Sequence, residues 1–176
     1  MFKQIIVSAL SLASLGATAQ IYGGIGVTSA KLNDKISSEN TEISTTALRG
    51  IFGYKVGPKL SLEGVAAFGL NNSSFNVTTA PNSKLNIDYM VGVYAKPTIK
   101  ITPQLETFFR AGMAQTLTTL FYQGNTTKTI NNGFSYGVGM SYELGKTTFF
   151  NLDYMFYVNN DQTKATGITA GVDYLF

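Results

Sequence analysis

Residues 134–144 read Phe-Ser-Tyr-Gly-Val-Gly-Met-Ser-Tyr-Glu-Leu, and this stretch decides the fold. Apolar or aromatic side chains occupy every even position from Phe134 to Leu144, and small or charged side chains occupy the odd positions between them. Because successive side chains of a β-strand point to opposite faces, the pattern predicts a strand with one apolar and one polar face. Residues 165–176 alternate in the same way.

A period of two recurs from residue 20 to residue 176, interrupted by polar, glycine-rich or proline-containing breaks, and no helical period is sustained. We therefore predict an all-β domain of about eight strands, each long enough to cross a bilayer at a tilt. The predicted strands cover residues 21–31, 46–56, 60–70, 85–96, 105–117, 134–144, 148–158 and 165–176.

The connections between these strands alternate between short and long. Gly57-Pro58-Lys59, Thr102-Pro103-Gln104 and Gly145-Lys146 have the composition of tight turns. The connections at 33–45, 71–84, 118–132 and 159–164 are longer and rich in Asn, Ser and Thr. This alternation predicts an up-and-down antiparallel barrel with short turns at one end and long loops at the other. Pro97 lacks a ladder donor, so the fourth strand either ends there or is locally irregular.

Ten charged residues in the predicted strands fall on the face opposite the apolar one. This separation indicates that the two faces meet different solvents. A soluble ligand-binding barrel would turn its apolar face inward, and a membrane barrel would turn it outward to lipid. Three features favour the membrane: aromatic residues near strand ends, glycines on the charged face, and a terminal aromatic residue. The charged positions are Arg49, Lys55, Glu63, Asp88, Lys96, Glu106, Arg110, Glu143, Asp153 and Asp173.

The first residues predict export. Lys3 precedes a short apolar stretch at 5–15, and Ala17-Thr18-Ala19 has the small residues of a cleavage site, which together are typical of a secretory signal peptide. We therefore expect a cleaved signal peptide at 1–19 and a single barrel domain at 20–176. The chain has no cysteine, so its shape must depend on hydrogen bonding and packing.

The final segment, Gly167-Ile-Thr-Ala-Gly-Val-Asp-Tyr-Leu-Phe176, resembles the C-terminal signal read by the bacterial barrel-assembly machinery, with Val172, Tyr174 and Phe176 at its alternating positions. The chain is similar in pattern to the small outer-membrane β-barrel family of the OmpA transmembrane domain, OmpX and Ail/Lom type, often labelled porin family proteins. This resemblance implies an eight-stranded transmembrane β-barrel in the bacterial outer membrane. Its implied partners are membrane lipid, lipopolysaccharide and the assembly machinery.

The lumen of so small a barrel holds only side chains, and charges buried there must pair. We interpret the ten charges as a structural network that closes the lumen, with a gated ion path as the alternative. With no His and no Cys, the chain lacks the usual general base, metal ligand and thiol nucleophile, so no catalytic residue, metal or cofactor is predicted. A net charge of +3 gives no reason to propose nucleic acid.

Binding is expected in the long loops. Phe121 and Tyr122 are the candidate contacts for a host or envelope surface, and the alternative is that they extend the fifth strand or belong to an interfacial girdle. The predicted function is that of a non-enzymatic barrel with a closed polar lumen and a structural or adhesive role. The alternative is a narrow pore or a conduit for ions or small apolar solutes.

Overall fold

The computed structural model describes the backbone of residues 20–36, 39–70, 73–77, 80–122, 125–159 and 163–176, and the side chains of 20–31, 44–70, 88–119, 126–157 and 165–176. The predicted signal peptide lies outside these residues. In the described ranges, no helix is long and apolar enough to cross a membrane. The strands are β1 (Gln20–Ile36), β2 (Glu39–Gly57), β3 (Leu60–Gly69), β4 (Ser73–Val77), β5 (Ala80–Lys100), β6 (Leu105–Tyr122), β7 (Asn125–Gly145), β8 (Thr148–Asn159) and β9 (Thr163–Leu175).

Eight of these strands form a closed antiparallel ring. β1 pairs with β2, β2 with β3, and β3 with β5, after which β6 to β9 follow in order and β9 returns to β1. The short strand β4 pairs with β5 beyond the end of β3 and stands outside the ring. The predicted eight-stranded up-and-down barrel is therefore confirmed.

Tight turns join the strands at one end of the barrel, which we call the short-turn end. Residues 58–59, 101–104 and 146–147 make these turns, close to the predicted positions. In the second of them the Thr102 hydroxyl accepts hydrogen bonds from the backbone N–H groups of Gln104 and Leu105, at 3.3 and 3.0 Å. These bonds occupy donors that the strand ladder leaves unused.

Pro97 does not end its strand. β5 continues to Lys100, and Pro97 lies opposite Leu60 of β3. On the other side, the ladder to β6 passes from Ala95 to Thr98 without a pair at the two residues between them. Of the two alternatives, the local irregularity is correct, and the missing proline donor accounts for it.

The strands run further than predicted at the opposite end, which we call the hairpin end. β1 and β2 stay paired as far as Ile36 and Glu39, and β6 and β7 as far as Tyr122 and Asn125. The prediction that 33–45, 71–84 and 118–132 are loops is therefore wrong for most of their length. Their Thr and Ile residues favour extended backbone, and pairing across each hairpin satisfies the backbone N–H and C=O groups.

Apolar side chains face outward on every strand of the ring. On β7, Val138 is 57% exposed, whereas Ser135 is fully buried. A soluble ligand-binding barrel would show the reverse, so the outward apolar face identifies the membrane alternative as correct.

Aromatic side chains border this outward face near the hairpin end and near the short-turn end. Phe134, Tyr136 and Phe156 stack with ring centroids 5.9 and 4.9 Å apart near the hairpin end. Tyr174 and Phe176 meet edge-on at 5.3 Å near the short-turn end. The eight-residue step from Phe134 to Tyr142 on β7 spans about 26 Å along the strand. This arrangement is typical of the apolar band and aromatic girdles of a membrane barrel.

Candidate functional site: the lumen and the projecting hairpin

The inner face of the barrel contains two packed layers and a cavity. The layer of charged side chains is called the ionic layer, and it contains Arg49, Glu63, Lys96, Arg110, Asp153 and Asp173. On its hairpin side lies the apolar layer, formed by Ala47, Val65, Ala67, Met90, Tyr94, Ala114, Met155 and Tyr157.

Arg110 lies at the centre of the ionic layer and is only 1% exposed. Its Nε donates to Oε2 of Glu63 at 2.6 Å, and its Nη1 donates to Oδ2 of Asp153 at 3.1 Å. Asp153 also accepts two hydrogen bonds from the guanidinium of Arg49. Two arginines therefore share one carboxylate across the lumen, a bidentate geometry that Lys could not reproduce.

Glu63 connects this cluster to Lys96. The Lys96 ammonium lies 3.1 Å from Oε1 of Glu63 and 4.0 Å from Oδ2 of Asp173. The Tyr22 hydroxyl donates to the same Glu63 oxygen at 2.5 Å. The ionic layer thus holds three cations and three carboxylates, and each buried charge has an opposite charge within reach, as burial in a low dielectric requires.

The other four predicted lumen charges lie outside the ionic layer. Lys55 and Glu143 are partly buried near the short-turn end, and Glu106 lies 3.5 Å from the exposed Lys100. Asp88 lies toward the hairpin end and accepts a hydrogen bond from Thr119 at 2.6 Å. The structure therefore joins six of the ten predicted charges in one cluster. Among the described residues, no acidic group forms a metal-binding cluster.

The apolar layer was not predicted from the sequence. Its largest members, Tyr94, Met155 and Tyr157, stand on the face that also carries the charges, and all are buried. The Tyr94 hydroxyl donates to Ser135 Oγ at 3.2 Å, so its polar atom is satisfied inside the barrel. The signal available in the sequence was a set of aromatic residues and methionines that break the polar half of the alternation.

Glycines on neighbouring strands make room for the large inner side chains. Gly53 lies opposite Tyr22, and a Cβ atom there would overlap the Tyr22 ring. The same relation joins Gly139 to Phe108. Because these glycines lack side chains, the barrel interior can pack rings and guanidinium groups at strand spacing.

A small cavity that is open to solvent lies at the short-turn end, and we call it the basal cavity. Its inner boundary is formed by Lys96, Asp173 and Tyr22, which also belong to or contact the ionic layer. The remaining lining residues are Lys55, Ser61, Thr98, Glu106, Ser141, Phe149 and Leu175.

At the hairpin end, β7 projects beyond its neighbour β8. β7 pairs with β6 from Asn125 onward but with β8 only from Tyr136. Residues 126–132 are exposed on both faces, and one edge of this segment has no strand partner among the described residues. We call residues 126–132 with their β6 partners the projecting hairpin. Phe121 and Tyr122 lie in its β6 strand and not in a loop, while their side chains are outside the described residues.

Several solved structures with similar folds are outer-membrane barrels. Ail of Yersinia pestis, solved in complex with the heparin analogue sucrose octasulfate, superposes with a TM-score of 0.67 at 13% identity over 91% of this chain and 100% of its own. Neisserial surface protein A gives 0.67 at 16% identity with the same coverage. OprG of Pseudomonas aeruginosa gives 0.60 at 16% identity over 91% of this chain and 96% of its own. At sequence identities this low, the similarity shows a shared fold alone.

The family to which the sequence matches agrees with this fold. The family described as "Outer membrane protein beta-barrel domain" matches residues 5–176. No curated protein sequence matches the chain significantly.

Proposed function

Since the chain belongs to the outer membrane protein β-barrel domain family and is a bacterial outer-membrane barrel, we propose that it is a non-enzymatic membrane anchor with a closed lumen. In this proposal the projecting hairpin recognises a partner outside the membrane. The observation that carries it is the contrast between the two parts: the lumen is packed with paired charges, and residues 126–132 are exposed on both faces.

Two successive layers of side chains would block an ion that entered the lumen. Arg110 and Arg49 reach across the interior to Asp153, so an ion would have to separate buried charge pairs. On the hairpin side it would then meet the apolar layer, where Met155 is 1% exposed and Tyr157 is 7% exposed. Hydrophobic constrictions in narrow pores exclude water and ions. A narrow pore, the alternative function, would require both layers to rearrange.

Planar-bilayer recordings test the closed lumen. We expect purified wild-type protein to give no steady single-channel current. The variant Arg110→Ala combined with Met155→Ala opens both layers and should give current, whereas Lys100→Ala changes only a rim charge and should give none. Steady current from the wild type, altered in size or selectivity by Arg110→Ala or Glu106→Gln, would support the pore instead.

The projecting hairpin offers hydrogen bonds to a partner. Its exposed residues are mostly Thr and Asn, and Gln115 already donates to Oδ1 of Asn132 at 2.8 Å across the hairpin. The edge of residues 126–132 that has no strand partner in the described part of the chain also presents backbone groups, which can accept an added strand. The described segments at this end carry five lysines, at 31, 35, 84, 128 and 164, and four carboxylates, at 34, 39, 42 and 88. This charge balance favours a partner recognised by hydrogen bonds over a polyanion.

Exchanging the hairpin tests this role. Residues 126–132 replaced by a Gly-Ser sequence of equal length should abolish attachment of expressing cells to immobilised matrix proteins and glycans that bind the wild type. Replacing residues 146–147 at the short-turn end is the matched control and should leave attachment intact. Attachment that survives the hairpin exchange would assign recognition to another surface.

A further inference from the structure

Each short turn at the short-turn end has an exposed lysine in it or beside it. Lys59 and Lys146 lie in two of the turns, and Lys100 immediately precedes the third. We call these three residues the rim lysines. No Asp or Glu side chain in the described part of this end is exposed, since Glu106 and Glu143 are both partly buried. The charges that this end presents to its surroundings are therefore mostly positive.

The partly buried charges at this end reduce the positive surplus but do not remove it. Lys55 interacts electrostatically with Glu106 and Glu143, and Lys100 lies 3.5 Å from Glu106. With these residues counted, the short-turn end carries four lysines and two glutamates. A carboxylate at Phe176 would lower the surplus by one and leave it positive. The neighbouring ionic layer contributes no net charge, because it holds three cations and three carboxylates.

The rim lysines lie at the edge of the apolar band. Each has an exposed, outward-facing Leu or Ile within two residues of it, namely Leu60, Ile99 or Leu144. Tyr142 and Tyr174 are exposed on the outward face at the same end. Aromatic residues in such positions lie at the level of the lipid headgroups, and lysine stems can run along apolar surface with the ammonium in the polar region. The rim lysines are therefore placed to reach headgroups.

The rim lysines are spread along the wall and do not converge on one point. The backbone N–H of Thr98 donates to the carbonyl of Lys59 at 2.9 Å, so the turns near Lys59 and Lys100 are neighbours. β6 and β7 lie between Lys100 and Lys146 in the ring. Adjacent strands are about 4.8 Å apart. This spacing fits a row of separate headgroups better than a single small ligand.

We propose that the short-turn end selects anionic phospholipids from the surrounding leaflet and that the rim lysines bind the phosphates of their headgroups. Lysines near a membrane surface are attracted to anionic lipids, and a zwitterionic headgroup offers no net charge to match them. Short turns of a membrane barrel face the periplasm, so the selected lipids belong to the periplasmic leaflet.

Electron paramagnetic resonance of spin-labelled lipids tests this selection. The barrel is reconstituted into phosphatidylcholine vesicles that contain a trace of labelled phosphatidylglycerol or labelled phosphatidylcholine, and the motionally restricted fraction gives the relative association of each lipid. One lysine near the surface favours an anionic lipid about fivefold. Averaged over all lipids that contact the barrel, we expect the wild type to prefer phosphatidylglycerol by roughly twofold. In about 1 M sodium chloride this preference should disappear through screening.

Charge variants assign the preference to the rim lysines. The triple variant Lys59→Gln, Lys100→Gln, Lys146→Gln should lose it, and replacement of the same three residues by Arg should keep it. Lys128→Gln is the control for charge at the other end, since Lys128 is exposed in the projecting hairpin, and it should leave the preference unchanged. Heat-modifiable migration on a detergent gel verifies that each variant is folded.

Three results would overturn the proposal. The first is equal association of the two labelled lipids with the wild type, and the second is a preference that survives in the triple Gln variant. The third is displacement of phosphatidylglycerol by sodium phosphate at a concentration where sodium chloride of equal ionic strength has no effect, which would identify soluble phosphate as the ligand of these lysines.

Discussion

At the scale of single residues, Arg110 determines the arrangement of the ionic layer. Its guanidinium joins Glu63 of β3 to Asp153 of β8 across the lumen. A buried ion pair adds little to stability compared with apolar packing, but removing Arg110 would leave two cations for three carboxylates, and so one uncompensated charge in a low dielectric. The cost of substitution should therefore depend on burial and not on the number of ion pairs alone.

Arg110→Met should lower the free energy of unfolding by about 3–5 kcal/mol, because Glu63 and Asp153 lose a shared partner. Lys100→Met is the control: Lys100 is also paired with a carboxylate, but its side chain is 67% exposed. Exposed pairs contribute about 1 kcal/mol or less. Denaturant unfolding of the barrel in lipid vesicles measures both, and equal losses would show that the ionic layer is not tightly coupled.

Two glycines on β2 give a second residue-scale comparison. A Cβ atom at Gly53 would overlap the Tyr22 ring, whereas Gly50 has only a backbone oxygen, at 3.9 Å. Gly53→Ala should destabilise the barrel by about 1–3 kcal/mol through overpacking, and Gly50→Ala should be nearly neutral. Thermal or urea unfolding of both variants measures the difference in stability. Similar stability of both variants would mean that the Tyr22 ring can move aside at little cost.

The charged half of the inner face can be predicted from the sequence, but its apolar half cannot. Fixing register from apolar residues places Arg49, Glu63 and Arg110 on one face, because the strand period is local and regular. Which charges meet depends on how strands stagger around the ring, and the pair Arg49 and Asp153 spans 104 positions of sequence. Local pattern holds no information about such distances, so the selection of six charges from ten required the structure.

At the scale of elements, β7 passes from the membrane into solvent while keeping one alternation. Val138 and Ile130 stand on the same outward face of this strand and are both 57% exposed. Val138 lies within the apolar band, and Ile130 lies in the projecting hairpin. The exposed fraction is the same at both positions, but Val138 faces lipid and Ile130 faces water.

Val138→Arg should destabilise the inserted barrel by about 2–4 kcal/mol, as expected for a cation facing lipid near mid-membrane. Ile130→Arg should change stability by about 0.5 kcal/mol or less, because its side chain meets water. Reversible unfolding from vesicles provides the measurement. Equal costs would place the edge of the apolar band beyond residue 130.

Most strand limits could be predicted well at the short-turn end, whereas the limits at the hairpin end could be predicted only poorly for β1, β2, β5, β6 and β7. Proline and glycine mark the short turns, since their backbone preferences are fixed by single residues. No such residue marks the change from membrane strand to water-exposed hairpin. Thr126 to Asn132 remain extended because β6 pairs with them, and this pairing depends on the partner strand and not on local composition.

At the scale of the whole molecule, Phe176 lies where the ring closes. Its backbone N–H donates to the carbonyl of Ile21 in β1 at 2.9 Å, and its side chain is 77% exposed toward the membrane. Tyr174 and Val172 face outward beside it. The proposed role of these three residues as an assembly signal concerns insertion in the cell, and it can be separated from their contribution to the folded barrel.

Phe176→Ala should reduce the amount of assembled barrel in the outer membrane while refolding into detergent micelles stays near the wild-type yield. Phe52→Ala makes the same chemical change at another outward position, 61% exposed, and should assemble normally. Membrane fractionation with heat-modifiable gels measures assembly. Normal assembly of Phe176→Ala would exclude the signal, and loss of refolding in micelles would assign Phe176 to stability.

Ring closure also constrains when the protein can fold. The hydroxyl oxygens of Thr28 in β1 and Thr169 in β9 lie 2.8 Å apart although 141 positions separate them in the chain. Such distant contacts make folding slow. Until β9 arrives, β1 keeps an open edge beside an apolar face, a combination that promotes aggregation. A newly made chain must therefore remain protected from its neighbours until β9 has paired with β1 and closed the ring.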